Sequence, residues 1–191
     1  MANSGITGKD VARRILDANG LKKVKVVETS GILSDHYDPR NKTVNLSSDI
    51  YNNYSLASVS VASHECGHAI QDKDGYFFLR FRSRIVPIVN IASTAGYIAI
   101  LVGLIFSSLG FLWIGILMEA IILLFQLVTL PVEFNASARA LTQIIDLGIV
   151  SKEEQKNCYK MLRAAALTYV AAVATAILEI VRLVLIAKSD D

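Results

Sequence analysis

The sequence is short of cysteine, of histidine and of charge, and each shortage closes off a class of explanation. Two cysteines, Cys66 and Cys158, cannot build a disulfide framework, and neither belongs to a CxxC knuckle, which suits a reducing cytosolic face. Charged residues are only 19% of the 191, with a net charge of +2. The basic side chains are scattered without an interleaved aromatic stripe, so no nucleic-acid partner is expected. The first 30 residues are polar or amphipathic, so no secretory signal peptide is expected. The scarcity of charge peaks in residues 85–132, which hold one acidic residue, Glu119, and no basic one.

Apolar residues fill that gap. They make up 53% of the chain, and the mean hydropathy of +0.45 is displaced toward membrane proteins. Residues 85–106 suffice to cross a hydrocarbon core of roughly 30 Å at about 1.5 Å per residue. The uncharged turn Ser107–Gly110 leads into a second span over 109–130, giving a helical hairpin. Arg80, Arg82 and Arg84 precede the first span, and Arg139, Lys152, Lys156 and Lys160 follow the second. With no basic residue in the turn, that bias puts residues 1–84 and 133–160 on the cytoplasmic side. Residues 164–187 are apolar except for Glu179 and Arg182, which can pair at i, i+3. A third span is the preferred reading, with a helix lying along the membrane surface as the alternative.

The soluble parts carry weaker signals. Thr7 and Asp10 form a capping box for a helix with Val11, Ile15 and Leu16 on its apolar face, closed by Gly20. Residues 24–28 read as a strand, 38–41 as a turn, and 42–46 as an edge strand able to pair with an extended substrate backbone. A helix is expected over about 55–72, with Val59, Ala62, Cys66 and Ala69 at helical spacing. Ser151 and Glu154 open a long C-terminal helix with another capping box. Within the hairpin, Ala95, Ala99 and Gly103 form a row of small residues that lets the spans approach. Glu119, Gln126 and Glu133 recur every seven residues and share a face, where Glu119 is expected to meet Asn90, Ser93 or Thr94 of the first span.

The chemistry concentrates in His64-Glu65-Cys66-Gly67-His68, an H-E-x-x-H pattern that uses two of only three histidines. On a helix, positions i and i+4 project from one face, so both imidazoles can bind one zinc ion. Glu65, turned about 100° away, can act as general base toward a zinc-activated water. Two unrelated histidines satisfied by neighbours are the bland reading. Catalytic zinc takes three protein ligands, and no third histidine follows at metzincin spacing. A carboxylate is therefore the candidate. Glu133, just after the second span, is preferred over Glu153 and Glu154 in an exposed cap, although it could instead pair with Arg139. Cys66 points away from the His68 face and reads as core. His36 and Tyr37, in the stretch Ser34–Arg40, are candidates to stabilise an oxyanion, or else belong to a turn held by Asp35 and Asp38.

The segments HECGHAIQ (64–71), SDHYDPR (34–40) and PVEFNASARAL (131–141) together resemble the YugP-like family of bacterial membrane zinc metallopeptidases. The order of motif helix, hairpin and glutamate helix is similar to HtpX-type and CAAX prenyl proteases. The resemblance covers nearly the whole chain. It implies zinc ligation by His64, His68 and Glu133, catalysis by Glu65, and neutral peptidase activity in the bacterial cytoplasmic membrane. Two positions depart from the family's habit, which places Val at Cys66 and Asp at Asn135. Asn135 could still hydrogen-bond a ligand histidine without adding negative charge.

The expectation is thus a mainly α membrane protein. It would have a zincin-like catalytic unit with a small N-terminal β element, a two-span hairpin and a long C-terminal helix. The parts would be 1–84, 85–132, 133–163 and 164–188. Its expected function is peptide-bond hydrolysis with Zn2+ as cofactor, facing the cytoplasm. Its partners would be a protein or peptide substrate and the lipid bilayer, with a second copy of the chain or a regulatory membrane protein as further candidates. The competing class is a non-hydrolytic membrane adaptor or chaperone with a closed structural zinc site, in which Asp35 or His36 would supply a fourth ligand.

Overall fold

The computed structural model describes residues 5–189 and is mainly helical. Its elements are α1 (Gly8–Ala18), β1 (Lys25–Thr29), β2 (His36–Asp38), β3 (Thr43–Ser47), α2 (Ser48–Tyr51), α3 (Leu56–Lys73), α4 (Phe77–Ile105), α5 (Leu109–Asp146) and α6 (Lys152–Ser189). The chain divides into two compact units. One holds residues up to Tyr76 together with Val132–Ala166, and the other holds Phe77–Pro131 and the chain from Leu167 onward.

In the first unit, α1 starts at the expected capping box, with the Thr7 hydroxyl and the Asp10 carboxylate each serving the other's backbone N–H. Val11, Ala12, Ile15 and Leu16 are fully buried, the 3.6-residue period placing them on one face. They pack with Val44 and Leu46 of β3, with Val59, Ala62, Cys66 and Ala69 of α3, and with Ala140, Ile144, Cys158 and Leu162 of α5 and α6. The sheet corrects the strand expectations in two ways. The order is β1-β3-β2, with β1 parallel and β2 antiparallel to β3. Residues 42–46 therefore do not form an edge: Val44 and Leu46 must be covered on one face, and both flanks of β3 are paired. The second edge comes from His36–Asp38, where no strand is expected from sequence, because the turn signal of 38–41 overlaps so short a strand.

α3 ends as Gly75 takes a positive φ of 68° and the Tyr76 N–H reaches back to the Gln71 carbonyl at 2.9 Å. α4 ends the same way, with Ser107 at φ 49° and the Ser108 N–H on the Gly103 carbonyl at 2.9 Å.

In the second unit, three helices, α4, α5 and α6, are long and apolar enough to cross a membrane. The protein is a membrane protein by this measure. The small-residue row on α4 is Ala92, Gly96, Ala99 and Gly103, all buried; Ala95 lies on the exposed side. A Cβ on Gly103 would lie 2.9 Å from the Leu112 backbone nitrogen, and one on Gly115 would lie 2.4 Å from Ile100 Cγ1. The α4–α5 hairpin thus closes on a glycine from each helix, Gly103 against the Leu112 backbone and Gly115 against the Ile100 side chain. Leu112 and Ile116 of α5 cluster with Leu183 and Ala187 of α6. Glu119 does not meet the first span as expected. Asn90, Ser93 and Thr94 are exposed, and the nearby charge acting on Glu119 is Glu179 of α6. Glu179 in turn pairs with Arg182 at 2.5 Å, as the i, i+3 spacing indicates.

Since backbone atoms, not flexible tips, oppose a Cβ at position 103, Gly103→Ala is expected to lower the thermal midpoint in detergent. Overpacking of this kind costs roughly 1–3 kcal/mol. Ala95→Leu, on the exposed side, leaves the midpoint unchanged if the row is correctly placed.

Candidate metal centre

α3 begins with the Ser55 hydroxyl accepting the Ser58 N–H at 3.0 Å. Its apolar stripe faces the core and fixes the rotation of the helix, so the remaining positions are set. Cys66 is on the buried side, where its Sγ donates weakly to the Ala12 carbonyl at 3.6 Å and burial pushes its thiol up. His64 and His68, one turn apart, face α5 with their rings edge-to-face at 4.8 Å.

What allows α5 to come close is Gly67. A Cβ there would lie 2.5 Å from the Ala136 carbonyl oxygen and within 3.2 Å of its Cα, so the two helices touch backbone to backbone. Glu133, on the turn of α5 that precedes Ala136, is thereby delivered to the histidines. Its Oε2 lies 3.1 Å from His64 Nε2 and 3.7 Å from His68 Nε2. The three residues form a cluster whose candidate ligand atoms lie within 4.8 Å of one another. Donors on a tetrahedral zinc with bonds of about 2.0–2.1 Å sit about 3.3 Å apart, a value the two observed separations bracket. Two imidazoles and a carboxylate are also the donor set such an ion takes in glutamate-ligated sites. The residues present therefore fit the metal.

The electrostatics follow from that crowding. Burial alone would raise the Glu133 carboxyl, but hydrogen bonds from His64 and His68 outweigh it and hold the group well below the usual carboxylate range. Burial pulls the His68 imidazolium down, yet the Glu133 hydrogen bond and the charges of Glu65 and Glu133 leave it raised. Each histidine turns Nε2 to Glu133 and Nδ1 to a separate polar group. His64 Nδ1 meets Ser137 Oγ at 3.2 Å, and His68 Nδ1 meets Gln71 Oε1 at 3.0 Å. Glu65 is 7% exposed, and its carboxylate has no hydrogen-bond partner among the described residues. Beside Ser137, a cavity of about 420 Å³ runs along α5 and α6, walled by Phe134, Leu141, Leu162 and Ala166.

The other sequence candidates are placed elsewhere. His36 lies in β2 with Nδ1 on the Ser34 carbonyl at 2.7 Å and Nε2 near Asn45 Nδ2 at 3.2 Å. The Tyr37 hydroxyl donates to Asp72 at 2.7 Å, and burial with that carboxylate raises it. Asp35 is occupied by the Ser47 N–H at 2.7 Å. Neither Asp35 nor His36 joins the cluster of His64, His68 and Glu133. Asn135 does not touch a ligand histidine; it bonds Gln71, which does. The contributions of Gln71, Ser137 and Gly67 were missed in the sequence, although Gln71 falls at i+3 from His68 and Ser137 at i+4 from Glu133, the offsets that share a helix face.

Comparison with known proteins is consistent with this geometry. A family described as "Putative neutral zinc metallopeptidase" matches residues 1–188. The chain is 46% identical over 185 residues to "Putative membrane protease YugP" of Bacillus subtilis (strain 168), covering 97% of this chain and 82% of that protein. No solved structure matches.

Gly67→Ala places a methyl against the α5 backbone and is expected to push Glu133 away from the histidines. Zinc retention through a desalting step should fall by an order of magnitude or more, whereas an unchanged metal content in Gly67→Ala would show that the close approach is dispensable.

Proposed function

Since the chain belongs to the neutral zinc metallopeptidase family, we propose that it is a membrane metalloendopeptidase whose zinc is held by His64, His68 and Glu133. The observation that carries this reading is the Glu133 carboxylate oxygen lying 3.1 Å from His64 Nε2 and 3.7 Å from His68 Nε2, in a cluster of three candidate ligands. Zinc held there would act as a Lewis acid on a scissile carbonyl and bring the pKa of a water toward about 7.

The protein's own residues do the rest. Glu65, buried and without a hydrogen-bond partner among the described residues, takes the proton from the attacking water and passes it to the leaving amine. Ser137 and Gln71 hold the two rings by their Nδ1 atoms, so both Nε2 atoms stay aimed at Glu133. The substrate is a polypeptide chain. His36 and Tyr37 retain hydrogen-bond partners of their own, and no oxyanion role is assigned to them. A closed structural site is the less favoured reading, because among the described residues the cluster brings three ligands and no fourth.

The basic residues flanking the spans support a catalytic face in the cytoplasm, with the 106–108 turn on the far side of a bacterial cytoplasmic membrane. Ser107→Cys should react with a membrane-impermeant maleimide in intact cells, while Lys152→Cys reacts only after permeabilisation; the reverse pattern overturns the orientation. The buried Cys66 and Cys158 give little background.

Glu65→Gln is expected to keep stoichiometric zinc and lose roughly 10²–10⁴-fold or more in cleavage of an unstructured protein. Glu133→Gln is expected to lose both zinc and activity. Full turnover by Glu65→Gln would rule out the general-base assignment.

A further inference from the structure

Gln71 is fully buried, and all three of its side-chain hydrogen bonds are made to groups of the metal centre or of α5. Their directions are forced from the surface inward. The Arg139 guanidinium can only donate, and its Nε lies 2.8 Å from the Asn135 amide, so the Asn135 atom facing it is the oxygen. Gln71 Nε2 is 3.0 Å from that same oxygen and 2.8 Å from the Val132 carbonyl, so both of its hydrogens are committed to acceptors. The Gln71 amide cannot be turned over, since its oxygen would then confront two other oxygens. Its Oε1 must therefore face His68 Nδ1, at 3.0 Å. An amide oxygen only accepts, so Nδ1 carries the hydrogen. In the neutral ring that would take up a metal, the lone pair is then left on Nε2, the nitrogen 3.7 Å from Glu133 Oε2. Arg139 is itself held at its other end by Asp74, 2.5 Å from Nη1.

The chain of constraints is one-sided. His64 leans on the Ser137 hydroxyl, which can donate or accept and so imposes no direction. Among the described residues, His68 alone of the two histidines is connected, through Gln71 and Asn135, to a cation that never loses its charge.

We propose that Arg139 and Asn135 are positioning residues of the metal centre: together with the Val132 carbonyl they hold the Gln71 amide in the one orientation that leaves His68 Nε2 available to a metal. This rests on the zinc reading above and adds a partly exposed arginine, less than two turns beyond Glu133 on α5, to the determinants of metal affinity. Partners that orient a ligand imidazole are commonly worth about 10–100-fold in metal binding.

The test uses the full chain in detergent. Zinc affinity is measured by competition with a chromogenic chelator, and the electronic spectrum of the Co²⁺ form is recorded for wild type, Arg139→Met, Asn135→Leu and Asn135→Asp. The relay expects Arg139→Met and Asn135→Leu to bind zinc about 10–100-fold more weakly with a changed Co²⁺ spectrum. Asn135→Asp, which still accepts from both Gln71 and Arg139, should retain wild-type affinity and spectrum. Thermal midpoints separate these effects from loss of fold, and Arg139→Met, altered at a partly exposed side chain, carries the test alone if Asn135→Leu does not fold. Wild-type affinity in Arg139→Met, or an Asn135→Asp as weak as Asn135→Leu, overturns the relay while leaving the zinc site standing. A wild type that binds zinc no better than Glu133→Gln removes both.

Discussion

The contact on which the site depends is the backbone-to-backbone approach of α3 and α5 at Gly67 and Ala136. Two histidines on a helix are common, and a glutamate elsewhere in a chain is commoner. They become a donor set only if the helix carrying one can come within side-chain reach of the other. A glutamate side chain is short, so its helix must be close. The missing side chain at position 67, between the two histidines, makes room for that approach.

Around this contact the unit is assembled from independent layers. The apolar stripe of α3 is locked to α1 and β3, which fixes the angular position of His64 and His68 before any polar interaction is considered. On α5, Ala140 and Ile144 enter the same core and fix the angle of Glu133. The polar network then refines what packing has roughed out, with Gln71 tying the two helices through Val132 and Asn135. Burial gives those hydrogen bonds their value, because a polar group left unpaired in such a place would cost about 1–3 kcal/mol. Tyr37 and Lys42, both bonded to Asp72, attach the sheet to the far end of the same helix.

Much of this could be read from the residues. The three apolar helices follow from length and composition, and the capping boxes at Thr7 and Ser151 start their helices where their spacing indicates. The pairing of His64 with His68 follows from helical period, and Glu133 is preferred over Glu153 and Glu154 from its place just after the second span. What stayed hidden depends on tertiary register. Strand β2 is too short for its pattern to outweigh the turn residues beside it. The buried side of α4 differs from the expected one by a single position, Ala92 and Gly96 in place of Ala95, because several small residues compete and only the partner helix chooses among them. Asn135 looked like a direct neighbour of a histidine, since nothing in one sequence distinguishes a contact from a contact through glutamine.

One consequence of the unbroken α5 concerns insertions. Glu133 sits on the same 38-residue helix as the apolar stretch that begins at Leu109, with no loop between them to absorb a change in length. A lengthened apolar stretch would thus be taken up by the thickness it has to cross, since the helix itself offers no irregular residues to loop out before Glu133.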